Sequence, residues 1–119
     1  MTFELDLAPA AEADIDTILD WSVVHFGEAV RDGYEELINA AFGNILVDPN
    51  CAGSHDRPDL GSGVRSLHLK SSRNSIKSGV RRIARPRHFV FYRQVGNTIQ
   101  VVRILHETMN ISRQHIEEV

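Results

Sequence analysis

The chain has 119 residues, of which 42% are hydrophobic and 24% charged, so it suits one globular domain and is too short for two. No apolar run approaches the roughly 18 residues of a membrane span, and Cys51 is the only cysteine, which excludes an internal disulfide. The acidic start MTFELDL lacks the basic residues of a signal peptide. We therefore expect a cytoplasmic protein with a single domain over residues 1–119.

The net charge of −3 hides a strong asymmetry along the chain. Residues 1–60 contain 13 acidic and two basic residues, whereas residues 61–106 contain ten Lys or Arg and no acid. A basic face attracts acidic proteins or nucleic acid, which makes this asymmetry an argument about partners. The alternative is that the two parts neutralise each other within the fold.

The first half of the chain predicts a strand and two helices. Alternation in FELDL indicates a strand with one buried face over residues 3–7. Pro9 is a favoured first-turn residue for the helix that follows, and Gly27 ends that helix. Apolar residues three and four apart predict a second helix over about 28–46, ended by Asp48-Pro49. The short link at Gly27 makes the pair an antiparallel helical hairpin.

The second half predicts strands separated by irregular segments. Residues 50–63 read as a loop rich in Gly, Ser, Asp and Pro, and residues 64–70 as a strand. Residues 71–85 are basic and lack periodicity, so we expect a mobile insertion. Within that insertion, VRRIARP is compatible with a further strand that Pro86 interrupts.

The stretch HFVFYRQVGNTIQVVRILHE, residues 88–107, predicts two strands around a Gly96-Asn97 turn, followed by a short C-terminal turn or helix in residues 110–119. The order of elements predicts an α+β fold: an N-terminal strand and a helical hairpin packed on a mainly antiparallel sheet.

Both faces of the predicted hairpin are apolar. Pairing Val95 with Thr98 gives one face with Phe89, Phe91, Val102 and Ile104, and a second face with Val90, Tyr92, Val101 and Leu105. One helical hairpin covers one face only, so we predict that a partner chain covers the other. Exposed Val, Tyr and Leu side chains rimmed by arginine are typical of a protein-binding surface. The alternatives are that the 50–63 loop folds over it or that a second copy of the chain covers it.

Each strand of this hairpin also contains an arginine. In this register Arg93 lies on the helix-facing side and Arg103 on the opposite side. A guanidinium can hold an acidic partner by two parallel hydrogen bonds, or it can pair with a helix carboxylate such as Asp16, Asp20 or Glu35. For Arg93 both interpretations stay open, and for Arg103 we favour the partner.

A catalytic interpretation uses Arg65, His88, Tyr92 and His106, which together offer an acid, a base and cations for RNA cleavage. The predicted register places His106 on the other face of the hairpin from His88 and Tyr92, and this separation argues against the catalytic interpretation. The remaining histidines lack the spacing of metal ligands, so no metal and no other cofactor is expected. The basic run from Arg73 to Arg87 lacks interleaved aromatics, which indicates nonspecific phosphate contact, an acidic protein patch or a solvated loop.

Four segments resemble one known family, the ParE branch of the RelE/ParE toxins of bacterial type II toxin–antitoxin systems. They are LAPAAEADIDTILDWSVVHFGE, GVRSLHLK, RPRHFVFYR and VVRILHETMN. The resemblance covers nearly the whole chain, and residues 71–85 depart from it as an insertion. It implies the fold predicted above.

The resemblance also implies partners and a mode of action. ParE-like members inhibit DNA gyrase by binding, and RelE-like members cleave mRNA on the ribosome, so a binding toxin is the first expectation and an mRNA interferase the alternative. A non-toxic remnant that still binds its antitoxin is a third. A ParD-like antitoxin is the expected partner, with no membrane and no sequence-specific DNA binding. The expected target or antitoxin contacts are Arg87, His88, Tyr92, Arg93, Val101, Arg103, Leu105 and His106, and a secondary antitoxin groove is expected at Trp21 and Phe26.

Overall fold

The fold was determined as a computed structural model, which describes residues 3–76 and 79–109. Strand β1 (Glu4–Leu7) leads into helix α1 (Pro9–Phe26), and Gly27, at φ 88°, turns the chain into helix α2 (Glu28–Val47). A positive φ is strained for residues with a Cβ, which explains glycine at this link. The strand and both helices of the predicted first half are confirmed.

Four further strands complete the sheet: β2 (Ser54–Asp56), β3 (Arg65–His68), β4 (His88–Val95) and β5 (Thr98–His106). The order across the sheet is β1-β5-β4-β3-β2, and only β1 and β5 run parallel. The predicted α+β class with a mainly antiparallel sheet is confirmed. The loop predicted at 50–63 is wrong in part, because it contains the edge strand β2 and a 3-10 turn over Pro58–Leu60.

The helices and one sheet face enclose the main core. It contains Tyr34, Leu37, Ile38, Ala41, Phe42 and Ile45 from α2, together with Leu67, Val90, Tyr92, Ile99, Val101 and Ile104 from the sheet. The stripe predicted on the second helix supplies the helical half of this core, because positions three and four apart share one helix face.

The segment predicted as a mobile insertion begins with ordered packing. Leu69–Ser75 forms a 3-10 helix against α2, in which Ser72 is buried and accepts a 2.8 Å hydrogen bond from Asn44 Nδ2. Residues 79–87 contain no strand, so the strand suggested by VRRIARP is wrong. They pass close to α2, where a Cβ at Gly33 would lie 2.2 Å from the Arg81 carbonyl oxygen. The predicted C-terminal turn or helix, 110–119, lies outside the described residues.

The β4–β5 register agrees with the prediction from Val95–Thr98 as far as Tyr92–Val101 and then shifts by one residue. Phe91 pairs with Arg103 rather than with Val102, so a β-bulge interrupts β5. Since neighbouring side chains alternate between faces, the shift moves Ile104 to the face of Val90 and Tyr92 and Leu105 to the face of Phe91, the reverse of the prediction. Ile104 belongs to the main core, and Leu105 faces away from the helices.

The sheet face opposite the helices is buried within the chain. Val64, Phe91, Val102 and Leu105 form a second cluster, and none is more than 2% exposed. Leu60 packs against this cluster, and the Arg57 guanidinium lies 5.8 Å from the centre of the Phe91 ring. The prediction that this face stays open for a partner is therefore wrong, and the 50–63 segment contributes to covering it.

Candidate functional site

Arg103 meets a carboxylate of α1. Its Nε and Nη2 donate to the two oxygens of Asp14 at 2.7 and 2.9 Å, and the backbone N–H of Ile104 donates to the same carboxylate at 2.9 Å. The bulge turns this N–H away from β4, and Asp14 receives it. Hydrogen bonding to Asp14 raises the pKa of Arg103 above its ordinary value. Arg103 is thus held in the fold by an acid other than the three considered from the sequence.

Arg93 has a different environment. It lies on the face opposite the helices, since it pairs with Gln100 and follows Phe91 by two residues, so its predicted helix-facing position is wrong. The side chain is 6% exposed, its Nε is 3.4 Å from Gln100 Oε1, and its Nη2 has no hydrogen-bond partner. Among the described residues no carboxylate pairs with it. A buried cation without a counter-ion destabilises the isolated chain.

Besides Arg93, three of the predicted contact residues are buried. Tyr92 and Val101 are 0% exposed in the main core, and Leu105 is 1% exposed in the second cluster. The exposed Val, Tyr and Leu patch expected from the sequence is therefore wrong. The Tyr92 hydroxyl lies 2.5 Å from both the Pro49 carbonyl and Ser54 Oγ, and burial raises its pKa.

The register shift brings two histidines together at one end of the sheet. His88 pairs directly with His106, and their ring centres are 5.1 Å apart. The prediction that these rings point to opposite faces is wrong, because it did not include the bulge. Arg87, His68 and Glu107 lie next to the pair: Glu107 accepts from Arg87 Nε at 2.5 Å and lies 2.9 Å from His68 Nε2. These contacts, with that of His68 first, hold the pKa of Glu107 below its ordinary value.

Burial keeps His88 uncharged near neutral pH. Desolvation, followed by repulsion from His106, lowers the pKa of His88 to about 4, and burial raises the pKa of Tyr34 to about 12. The Tyr34 hydroxyl accepts the Arg87 backbone N–H at 3.1 Å and forms a 2.5 Å hydrogen bond with His88 Nδ1. His88 Nδ1 is therefore occupied by Tyr34 in either tautomer of the ring.

This state limits what the histidine pair can do chemically. Acid–base catalysis is most efficient when the pKa of the group lies near the working pH. His88 Nδ1 is occupied by Tyr34, and the pKa of about 4 makes the ring a weak base that does not exist as the acidic imidazolium near neutral pH. His106 Nδ1 is also occupied, because it accepts the Thr108 backbone N–H at 3.1 Å and lies 2.7 Å from the Thr108 hydroxyl. The pair is close enough for acid–base chemistry, but its hydrogen bonds do not prepare it for that role.

An aromatic patch lies at the turn between the helices and consists of Trp21, Val24, His25 and Phe26. Trp21, Val24 and Phe26 are 53%, 77% and 61% exposed. The His25 ring stacks on Trp21 with centres 4.1 Å apart, and Phe26 meets Trp21 edge-on at 5.4 Å. Large aromatic side chains exposed together are typical of protein interfaces. The sequence identified Trp21 and Phe26 but not the contribution of Val24.

The charge asymmetry survives folding. Among residues 3–76 and 79–109, the ion pair of Arg103 with Asp14 is the only one that joins the acidic part of the chain to the basic part. Lys70, Arg81 and Arg85 are exposed and form no ion pair within the described part of the chain. These three residues, together with Arg82 and Arg87, are named the basic surface; Arg87 directly precedes His88 and Lys70 follows His68 by two residues. Within the described residues, direct ion pairs therefore do little to neutralise the two parts of the chain.

Within the described residues no helix is long and apolar enough to cross a membrane, and no three His, Cys, Asp or Glu side chains lie close enough together to share a metal ion.

A helical hairpin packed on a five-stranded, mainly antiparallel sheet is the fold of toxins of the RelE/ParE type. The chain belongs to the family described as the ParE toxin of the type II toxin–antitoxin system parDE, whose sequence profile matches residues 5–111. The predicted family membership is confirmed.

Similar proteins agree with this assignment. Toxin ParE1 of Caulobacter vibrioides is 29% identical over 110 residues, which are 92% of this chain and 94% of that protein. Toxin ParE1 of Mycobacterium tuberculosis is 27% identical over 108 residues, covering 90% and 92% of the two chains. A chain in the structure described as the chromosomal ParDE TA system from P. aeruginosa superposes with a TM-score of 0.61 at 25% identity, covering 88% of this chain and 96% of that one.

Proposed function

We propose that this ParE-type toxin acts in the cytoplasm by binding rather than by catalysis, that its target is DNA gyrase, and that a ParD-like antitoxin neutralises it. The observation that carries the proposal is the state of the histidine pair, since burial keeps His88 uncharged near neutral pH and the Thr108 N–H occupies His106 Nδ1. Because these two histidines are not prepared for acid–base catalysis, we expect the toxin to act through its surface. The basic surface and the aromatic patch are the two exposed surfaces suited to that purpose.

The basic surface is the proposed target contact. Among the described residues Lys70, Arg81 and Arg85 form no ion pair, so their exposed charges are available to attract an acidic target. Of the contacts predicted from the sequence, Arg87 belongs to this surface, and we assign His106 to the same target contact. Arg93 is buried and Arg103 is paired with Asp14, so we assign both a structural role in the sheet rather than direct contact with the target.

The aromatic patch is the proposed antitoxin contact. Trp21 and Phe26 offer a rigid apolar area, and exposed Asp20 and Glu28 flank it on the two helices. An amphipathic antitoxin helix would bury the rings and place its basic residues against these acids. The same antitoxin would also extend an acidic segment over the basic surface. It would then block target binding even though the aromatic patch and the basic surface are separate.

Target inhibition is tested with purified gyrase and relaxed plasmid. The full chain should inhibit supercoiling, and Arg81→Gln with Arg85→Gln should weaken inhibition by about tenfold while antitoxin binding persists. Arg31→Gln, which removes a paired arginine from the acidic half, is the matched control. Growth arrest with unchanged supercoiling and cleaved transcripts would instead identify an mRNA interferase. Normal growth beside tight antitoxin binding would identify a non-toxic remnant.

Antitoxin binding is tested with Trp21→Ser and Phe26→Ser in calorimetric titrations against the product of the neighbouring gene. We expect each change to weaken binding by roughly 2 kcal/mol, typical of an aromatic anchor, without loss of toxicity. Val47→Ser is the control, because Val47 is 86% exposed at the far end of α2, away from the patch. Equal effects of all three substitutions would refute the assignment of the patch.

A further inference from the structure

A polar cleft lies at the end of the sheet away from the histidines. It has a volume of about 400 Å³ and is lined by Asn50, Asp56, Gly63, Arg65, Gln94 and Gly96, among other residues. Arg65 pairs with Tyr92 on β4, four residues along the strand from His88, or roughly 13 Å at the usual rise per residue. This Arg65 cleft is therefore separate from both surfaces assigned above.

A chain of hydrogen bonds fixes the arginine in this cleft. Arg65 Nε donates to Ser54 Oγ at 2.8 Å, and Nη2 donates to the Ser54 carbonyl at 3.3 Å. Ser54 Oγ can donate to the Tyr92 hydroxyl at 2.5 Å, which in turn donates to the Pro49 carbonyl at 2.5 Å. Because every link is satisfied by a residue of the core or the sheet, the guanidinium is held in place before any ligand arrives.

Within the described residues the outer edge of this guanidinium makes no hydrogen bond. Nη1 has no partner there, and one Nη2 proton remains beyond the bond to Ser54. None of the described carboxylates forms an ion pair with Arg65, although Asp56 is its cross-strand neighbour. Two parallel N–H groups at a fixed edge match the two oxygens of a carboxylate.

The surrounding groups distinguish a carboxylate from a phosphate. Among the described residues that line the cleft, Arg65 is the only basic one, and Asp56 offsets its charge. The cleft also adjoins the C-terminal end of α2, where backbone carbonyls oppose additional negative charge. A phosphate dianion is therefore poorly matched, whereas a single carboxylate is compatible with the local charge.

The remaining lining favours a peptide. Gln94 Nε2 donates to the Gly96 carbonyl at 3.1 Å, which leaves its Oε1 to accept a peptide N–H, and the Asn50 amide offers a donor and an acceptor. A Cβ at Gly63 or Gly96 would meet nothing within 4 Å, so these walls leave room for an approaching main chain. We propose that the Arg65 cleft binds a peptide segment through its carboxylate group, a recognition site additional to the target and antitoxin surfaces.

The test is an NMR titration of the full chain that follows the Arg65 Nε–Hε signal and the side-chain amides of Asn50 and Gln94. The probes are two blocked alanine pentapeptides that differ in a central glutamate or glutamine, a pentaalanine with a free C-terminal carboxylate, and inorganic phosphate. We expect saturable shifts with the glutamate peptide and about tenfold weaker binding of the glutamine peptide, as for loss of a charge-assisted hydrogen bond. Binding of the pentaalanine would show that a C-terminal carboxylate also serves.

Two variants make the result specific. Arg65→Gln should remove the shifts, and Asp56→Asn should strengthen binding a few-fold, because it removes a negative charge without touching the hydrogen bonds of Ser54. An increase in affinity is not expected from a merely structural role of Asp56, so this variant decides the question even if Arg65→Gln unfolds. Phosphate binding as tight as that of the glutamate peptide, or no saturable shift at Arg65, would overturn the proposal.

Discussion

The contact of Asp14 with Arg103 and Ile104 should be a major local contribution to stability, and Asp14→Ala tests it. The substitution removes two charge-assisted hydrogen bonds of 2.7 and 2.9 Å and the acceptor of a backbone N–H. The side chains of Arg103 and Asp14 are 18% and 15% exposed, so water replaces the lost partner only in part. Removing one partner of a buried pair costs about 3–5 kcal/mol, which partial exposure reduces to about 3 kcal/mol here.

Chemical denaturation of the full chain measures this effect. Asp16→Ala is the control, because Asp16 is exposed two residues further along the same helix and should change the free energy of unfolding by less than about 0.5 kcal/mol. Arg103→Met keeps the aliphatic part of the side chain, and a double-mutant cycle with Asp14→Ala should give a coupling energy of about 2 kcal/mol. Additive effects, or an Asp14→Ala cost equal to that of the control, would refute this assignment of the stability.

Three further predictions follow from the packing and the buried charges. Gly33→Ala should destabilise the fold by more than 1 kcal/mol in thermal unfolding, because the new Cβ would lie 2.2 Å from the Arg81 carbonyl, whereas Gly43→Ala, with nothing within 4 Å, should stabilise α2 by about 0.5–1 kcal/mol. Arg93→Met should raise the free energy of unfolding by about 1 kcal/mol, since it removes a buried guanidinium whose Nη2 has no partner among the described residues. The folded pKa of His88 is about 4 against an ordinary 6.5, so the unfolded chain binds more protons in this window and stability should fall by about 2 kcal/mol as the pH drops from 6.5 to 4. His88→Gln should flatten that pH dependence in urea titrations, and an unchanged slope would contradict it.

Most of the fold could be predicted because local sequence patterns favour the same helices, strands and turns that tertiary packing requires. The apolar stripe of the second helix, glycine at position 27 and the Gly96-Asn97 turn each specify an element through neighbouring residues alone. The strand at Ser54–Asp56 was missed because its three polar residues lie at the sheet edge, where no apolar alternation is required.

The bulge in β5 could not be predicted from the hairpin itself. The Ile104 N–H that it frees is satisfied by Asp14, which lies 90 positions earlier in the chain. A one-residue shift of register then changes which side chains share a face. The pairing of His88 with His106 and the position of Leu105 follow from this shift, so the arrangement of the predicted contact residues could not be read from local sequence patterns.

The fold pairs one strand arginine and leaves other basic residues exposed. Arg103 forms an ion pair with Asp14 and ties the last strand to the first helix, while Lys70, Arg81 and Arg85 are exposed and form no ion pair within the part of the chain that the structure describes. Exposed charges act over about a Debye length, so the attraction that they exert on an acidic target weakens as salt is added, whereas the buried pair is little affected. If the basic surface is the target contact, association should therefore slow steeply between about 50 and 300 mM salt while the unfolding midpoint changes little. A salt-independent association rate would assign target binding to the aromatic patch instead.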